Sequence, residues 1–411
     1  MTRTAGPRDF DPFSPSFVTN PYPQLASLRR EGTVHHVRQP NGIERYLVVR
    51  HEEGRGVLTD RRLSADPAYG RAALERAGYL KPGDSSGLVA SLLTTDPPVH
   101  TRLRRLLASS FDMGLDYLEP VVARQAAELL TAMEQAGSPV DLVSRFAHPL
   151  TIATLREILG INEDASASFT RWISDVLTPR HRPNADAIRQ AADKAIRAYL
   201  SSLITAKAAD DGGDDLTARM IARWREDPAR VSEVELSNML YELILAGYLT
   251  TAGLIVNGVL ALLDDPAQLE LFRADPAVRA SGVDELLRFD GPAFSSSVRF
   301  ATQDITVAGT LIPQGAMVAV SFAAANRDER AFPGADKLDL SRPNSGTHLG
   351  FSHGIHLCWG APIARMEARV AIGALVERFG ALRLAVDRSA VQWGAVGNSR
   401  SPACLPVSAD D

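Results

Sequence analysis

From about Val231 to Asp264 the sequence follows a helical pattern with few polar interruptions, and no other stretch limits the possible folds so strongly. Ser232 and Glu235 stand three apart at its start, the spacing of a capping box. At ~1.5 Å per residue such a helix spans ~50 Å, enough to cross a whole domain. Its middle, Leu243–Asn257, is apolar nearly all round, so it belongs inside the protein. Within it lies Ala246-Gly247-Tyr248-Leu249-Thr250-Thr251, where small side chains permit close approach by a flat ligand. The simplest reading of Thr250 is a hydroxyl bonded back to its own helix.

A second stretch concentrates chemistry: Gly350-Phe351-Ser352-His353-Gly354-Ile355-His356-Leu357-Cys358-Trp359-Gly360. A helical pattern follows at once, from Ala361 to Phe379, with Pro362 suited to its first turn. Cys358 therefore stands just before a helix N-terminus, where free N–H groups and the helix dipole favour a thiolate and a lowered pKa. Gly354 and Gly360 let the backbone pass close to something large and flat. Three readings fit these residues. One is a buried structural cysteine, another a nucleophile served by His353 or His356, and the third an axial thiolate ligand to haem iron.

Composition narrows the setting. With 411 residues, 45% of them hydrophobic, the chain can bury a large core, and no long Pro- or Ser-rich linker divides it. A net charge of −5 leaves no footprint for nucleic acid. Two cysteines, Cys358 and Cys404, are too few for a disulfide framework and suit a reducing compartment. The polar N-terminus has neither a signal-peptide core nor a spanning helix, so a cytoplasmic protein without a membrane anchor is expected.

Along the chain, residues 1–20 form an irregular arm and Pro21–Glu31 a short helix. Val34–Val37 and Tyr46–Val49 pair as strands around Asn41-Gly42. From Ser64 to Thr95 periodicity is lost, which suggests a wall or lid over a pocket. Asp96-Pro97-Pro98 opens a helix on which His100 and Arg104 share one face while Arg102 and Arg105 point elsewhere. Helical patterns cover Leu115–Ala136, Leu142–Leu159, Ala165–Val176 and Asp186–Ala209, with a Pro/Arg/His turn at Pro179–Asn184. Asp210–Asp215 reads as a solvated acidic turn. Pro266–Ala274 and Val278–Phe289 are further helices, the second carrying Glu285 and Arg288 on one face. Ser297–Ala301, Ile305–Val307 and Met317–Phe322 read as strands, and more strands close the chain.

The pattern F-x-x-G-x-H-x-C-x-G at Phe351–Gly360 resembles the haem loop of the cytochrome P450 family at every defining position. Three other segments resemble that family in the same order: D-P-P-x-H-x-x-x-R at Asp96–Arg104, A-G-x-[D/E]-T-[T/S] at Ala246–Thr251, and E-x-x-R at Glu285–Arg288. The likeness runs from about Pro21 to Val407. It implies the P450 fold, mainly α with a smaller β-rich part, as a single haem domain over residues 1–411 without a fused reductase. By resemblance Cys358 ligates the iron of haem b, and His100, Arg104, Arg299 and His356 bind its propionates. Phe351, Gly354 and Gly360 shape the loop. Thr250, with Ala246, Gly247 and Thr251, supports dioxygen activation. Glu285, Arg288 and Arg342 form a structural cluster, and Cys404 is inert packing. The substrate pocket is drawn from Leu88, Val89, Leu92, Leu93, Trp172, Leu243, Phe294, Ser295, Ser296 and Val396.

One position departs from the family pattern. Leu249 stands where an acid helps relay protons to dioxygen, and leucine can neither donate nor accept one. The expected activity is monooxygenation (hydroxylation or epoxidation) of a small, largely apolar secondary metabolite such as a polyketide, terpenoid or peptide-derived compound. Leu249 keeps a second reading open: a haem-thiolate oxidase carrying out phenol coupling, desaturation, or a peroxide- or nitrogen-oxide-assisted reaction. A non-catalytic haem carrier or gas sensor is a third. Electrons are expected from NAD(P)H through a separate ferredoxin reductase and ferredoxin, delivered to a monomer. Arg102, Arg105, Arg365 and Arg369 are expected to form a basic docking patch on the thiolate side.

Overall fold

In the computed structural model the apolar stretch is one helix, Glu233–Leu263. The description covers residues 6–77, 91–111, 114–162, 166–178, 184–210, 213–227 and 231–408, so Leu88, Val89 and most of the Pro179–Asn184 turn lie outside it. The capping box forms in full: the Ser232 hydroxyl accepts from the Glu235 amide, and the Glu235 carboxylate accepts from the Ser232 amide. The helix is long and apolar enough to cross a membrane, but most of that run is buried inside the protein, as for a core helix. Around it pack helices His148–Leu159, Ala185–Ala209, Pro276–Asp290 and Ala361–Arg378, together with the strand Ser399–Pro402. Their apolar faces merge into the main core, which includes Leu236, Leu240, Ile244, Ile255, Leu286 and Ile372. Each fully buried Leu or Ile contributes roughly 1.5–3 kcal/mol, so this seam dominates the stability.

Local chemistry sets several helix ends. Leu115–Ala136 stops at Gly137 (φ +78°) and His148–Leu159 at Gly160 (φ +62°), both in the left-handed region that glycine enters freely. Two sequence expectations change here. The stretch expected as a helix from Leu142 begins with a π-helical turn, Val143–Ala147, before the α-helix. The aperiodic Ser64–Thr95 region contains a short helix, Arg71–Arg76, and helix His51–Thr59 escaped the pattern reading altogether.

The β-rich part is centred on a six-stranded sheet in the order Arg8–Asp9, Val34–Arg38, Glu44–Val48, Met317–Val320, Arg299–Ala301, Leu63–Ser64. Tyr46 pairs with Val318 in parallel, Arg299 with Val318 antiparallel, and Leu63 with Ala301 antiparallel. This order brings Arg299, distant in sequence, beside the segment that leads to Asp96. The Asp96 carboxylate then accepts from the Ala65 amide (3.1 Å) and from the Ser64 hydroxyl, which anchors the start of helix Val99–Ser110 at the sheet edge.

Candidate active site

Backbone hydrogen bonds within the cysteine loop hold Cys358 in place. The Cys358 amide donates to the Phe351 carbonyl (2.8 Å), Leu357 to Gly354 (3.0 Å) and Ser352 to Leu349 (2.8 Å). Helix Ala361–Arg378 begins three residues later, as the sequence implied. Cys358 as a whole residue is exposed, although protein atoms crowd around its sulfur. Burial pushes its pKa up, while the Gly360 and Ala361 amides, Arg104 and Arg365 pull the other way. The expectation of a lowered pKa is thus corrected for the protein alone: desolvation outweighs the helix terminus, and a bound cation would be needed to reverse the balance.

The glycines divide by role. Gly354 has φ +75°, and a Cβ there would stand 2.9 Å from the Leu58 carbonyl oxygen. Its close neighbour among protein atoms is therefore helix His51–Thr59. Gly360 has only the Cys358 sulfur near its Cβ direction, at 4.0 Å. On the long helix a Cβ at Gly247 would meet Leu155 at 2.9 Å, so this glycine permits helix–helix contact. Ala246 is exposed although it lies at the middle of a core helix, and Thr250, one turn on, is half-buried. An open face therefore runs along Ala246 and Thr250. The Thr250 hydroxyl donates to the Ala246 carbonyl, the back-bonded geometry, and Thr251 is buried.

Arg104, Arg299 and His356 gather around His100, and Arg104 also lies near the Cys358 thiol. His100 (3% exposed) and His356 lie with ring centroids 4.4 Å apart. Arg299 is 5% exposed, and its one hydrogen bond among the described residues goes to the Val298 carbonyl. Burial lowers its pKa, partly offset by Asp96. The half-buried Arg104 is also depressed by desolvation, and the Cys358 thiol opposes that. His356 Nε2 is buried with no hydrogen-bond partner among the described residues, and burial together with Arg299 and His100 holds its pKa down to about 3. Among the described residues no carboxylate forms a salt bridge with Arg104 or Arg299. A buried guanidinium without an anion, as at Arg299, is costly, so the set suits a ligand that brings its own negative charge. Haem, with two propionates and an iron open to a thiolate, matches this donor set.

The remaining expected residues fall in several places. Glu285, Arg288 and Arg342 meet in one fully buried cluster: Arg288 donates to both Glu285 oxygens (2.7 and 2.8 Å) and Arg342 to one (3.1 Å). Leu92 is buried, Leu93 is exposed, and Trp172 and Leu243 are half-buried against the main core. Phe294 departs from its expected pocket position. Its ring sits in the N-terminal cluster, edge-on to Phe13 (6.4 Å) and Phe17 (6.0 Å). Ser295 and Ser296 are buried, and the Ser296 hydroxyl accepts from the Val320 amide. The Asn398 side chain donates to the Ser295 carbonyl (2.7 Å), which ties this segment to the hairpin turn after Val396. The expected basic patch is largely neutralised: Arg102 pairs with Glu235 (2.6 Å), Arg365 with Asp284 (2.7 Å) and Arg369 with Glu119 (2.5 Å), and only Arg105 is exposed without an ion pair among the described residues.

Two acids, the half-buried Glu242 and the buried Glu367, escaped the sequence reading. Glu242, on the long helix, accepts from the amides of Leu92 and Leu93, and burial pushes its pKa up to about 7. Glu367, on the helix after the cysteine, is buried and likewise pushed up to about 7. A lone acid within an apolar stripe was the available signal in both cases.

Comparison with known proteins bears on the family and the fold. The family described as Cytochrome P450 matches residues 280–387. The cytochrome P450 monooxygenase PikC of Streptomyces venezuelae is 38% identical, over 97% of this chain and 93% of its own. The 6-deoxyerythronolide B hydroxylase of Saccharopolyspora erythraea is 37% identical, over 97% and 98%. Among solved structures, the P450 enzyme CxnD for C–S bond formation in chuangxinmycin biosynthesis superposes with a TM-score of 0.86 at 29% identity, over 100% and 99% of the two chains. Full-length identity of this order, on a helical fold whose cysteine loop and buried donors suit haem, means that the chain belongs to the cytochrome P450 family and is an oxidoreductase of its bacterial monooxygenase branch.

Proposed function

We propose that this P450 hydroxylates or epoxidises a small, largely apolar secondary metabolite, of polyketide, terpenoid or peptide-derived type. The observation that carries the reading is the group of buried or half-buried donors, His100, Arg104, Arg299 and His356, which form no salt bridge to a carboxylate among the described residues and of which Arg104 lies near Cys358. When bound, haem supplies the oxidising power drawn from O2 and two electrons. Cys358 holds the iron, and the four donors hold the propionates. Phe351 and Gly360 shape the loop, while Gly354 lets it pack on helix His51–Thr59. Ala246 and Thr250 line the open face, and Gly247 and Thr251 fix the helix behind it. Glu285, Arg288 and Arg342 keep the fold. The relatives' names support the substrate class, since one is a 6-deoxyerythronolide B hydroxylase. The enzyme works as a monomeric haem domain in the cytoplasm, drawing electrons from NAD(P)H through a ferredoxin reductase and ferredoxin.

Leu249 favours a second reading, a haem-thiolate oxidase that does not insert oxygen. It is half-buried against the main core and carries no proton. A structural neighbour named for C–S bond formation lends this reading weight. Turnover under isotopically labelled dioxygen decides between the two. Label in the product supports insertion, whereas a product that has only lost hydrogen or gained another bond supports the alternative. The substrate itself is found by titrating the ferric protein with compound classes and following the optical shift on binding.

A further inference from the structure

We propose that Glu242 is a specificity-determining positioning residue, which clamps the Ser91–Thr95 segment to the long helix as a wall of the substrate pocket. The inference rests on the haem-pocket reading above and adds to it a residue that neither the family motifs nor the sequence pattern pointed to. Glu242 lies one turn before Ala246 and two turns before Thr250, so it continues the same helical face. Both of its oxygens are committed to one short segment. Oε2 accepts from the Leu92 amide (3.0 Å), and Oε1 accepts from the Leu93 amide (3.0 Å) and the Ser91 hydroxyl (3.4 Å).

The segment is also braced from within. Inside the segment the Thr95 hydroxyl donates to the Ser91 carbonyl (2.6 Å) and the Ser91 amide donates to the Thr94 hydroxyl (3.1 Å), which makes a stiff turn. Leu93 projects from that turn with nearly half its surface open, while Leu92 is buried.

An apolar residue at position 242 would satisfy the burial of the helix at no electrostatic cost. A carboxyl there is penalised by desolvation, and the return is a fixed position for Leu92 and Leu93. The simplest alternative is that Glu242 only caps the free amides of a turn, which would affect stability and leave recognition alone. The two roles separate experimentally.

The test uses the haem-loaded ferric protein, titrated optically with imidazole and with 4-phenylimidazole, in wild type, Glu242→Ala and Glu242→Gln. A wall held by Glu242 predicts that Glu242→Ala changes the ratio of the two dissociation constants by about fivefold or more, a shift of about 1 kcal/mol. Glu242→Gln, which keeps one acceptor, should fall between. Hydrogen exchange of haem-free protein should show the Leu92 and Leu93 amides losing protection in Glu242→Ala. A ratio unchanged within twofold in both variants overturns the proposal, whether or not the melting temperature drops. Retained protection of both amides overturns it as well. No optical response in wild type would sink the haem reading and this inference together, while the exchange result would still report whether the clamp exists.

Discussion

Arg299 is a buried cation on a sheet strand with no salt bridge to a carboxylate among the described residues, and Asp96 offsets its charge only in part. This makes its two states differ in a measurable way. Without haem the guanidinium is a burden, so Arg299→Leu should leave the haem-free melting temperature unchanged or higher. With haem it removes a charge-assisted hydrogen bond of about 1.5–3 kcal/mol. Transfer of haem to a scavenger protein should then accelerate on the order of tenfold or more. A variant that loses haem no faster would show that Arg299 holds no propionate. Leu249 poses the opposite problem, a missing group. Leu249→Glu restores the acid of the family pattern, and it should lower the peroxide released per electron pair if proton delivery limits coupling. An unchanged ratio of product to peroxide would mean that protons already arrive by another route.

Among the elements, helix Pro276–Asp290 is tied to the long irregular run before the cysteine loop by one buried cluster. Arg288 also donates to the carbonyls of Asn326, Ala335 and Lys337, and Arg342 to those of Pro333 and Gly334. Glu285→Ala would leave two guanidiniums buried without their anion, at a cost of about 3–5 kcal/mol. Denaturant unfolding should register that loss, with poor haem retention beside it. A loss below about 1 kcal/mol would mean that the carbonyls alone suffice. Much at this scale was legible in the sequence. The long helix announced itself by its apolar circumference and capping box, and the ends of Leu115–Ala136 and Pro266–Ala274 lie where Gly137 and Pro266 put them. What could not be read depends on chain segments meeting. Strands such as Val34–Arg38 and Met317–Val320 could be read from their pattern, but the two-residue Arg8–Asp9 and Leu63–Ser64 are too short for one, and the order that brings Arg8–Asp9 and Met317–Val320 into one sheet spans most of the chain. The tight spot at Gly354 and the ion pairs that consume the arginines of the expected patch are likewise products of packing. The direction of the Cys358 shift failed for a related reason: the helix terminus was visible in sequence, and the burial opposing it was not.

For the molecule as a whole, pH acts through groups of opposite sign. Burial lowers the pKa of His51, His100, His148, His353 and His356, so these stabilise the fold as pH rises toward their ordinary 6.5. Glu242 and Glu367 are raised from 4.5 to about 7, so between those values the folded state binds protons that the unfolded state has released. Their contribution is complete below about pH 4.5 and is lost as pH rises through about 7. The total curve mixes both signs, and a difference between variants isolates one group. Glu367 suits this because it is fully enclosed between the helix after the cysteine and helix His148–Leu159. It reaches toward the Thr151 and Thr154 hydroxyls, but loosely: its Oε1 and the Thr151 hydroxyl lack a close partner. Glu367→Gln keeps the shape and cannot ionise. The stability of the variant relative to wild type should climb from pH 4.5 to 7 and then level off. At ~1.4 kcal/mol per pH unit over that span, the total gain is on the order of 3 kcal/mol. Denaturant melts of the haem-free proteins at matched pH values measure it. A flat difference across the window would mean that Glu367 is already ionised in the folded protein near its ordinary pKa, with a water or a shift of the two helices compensating its charge.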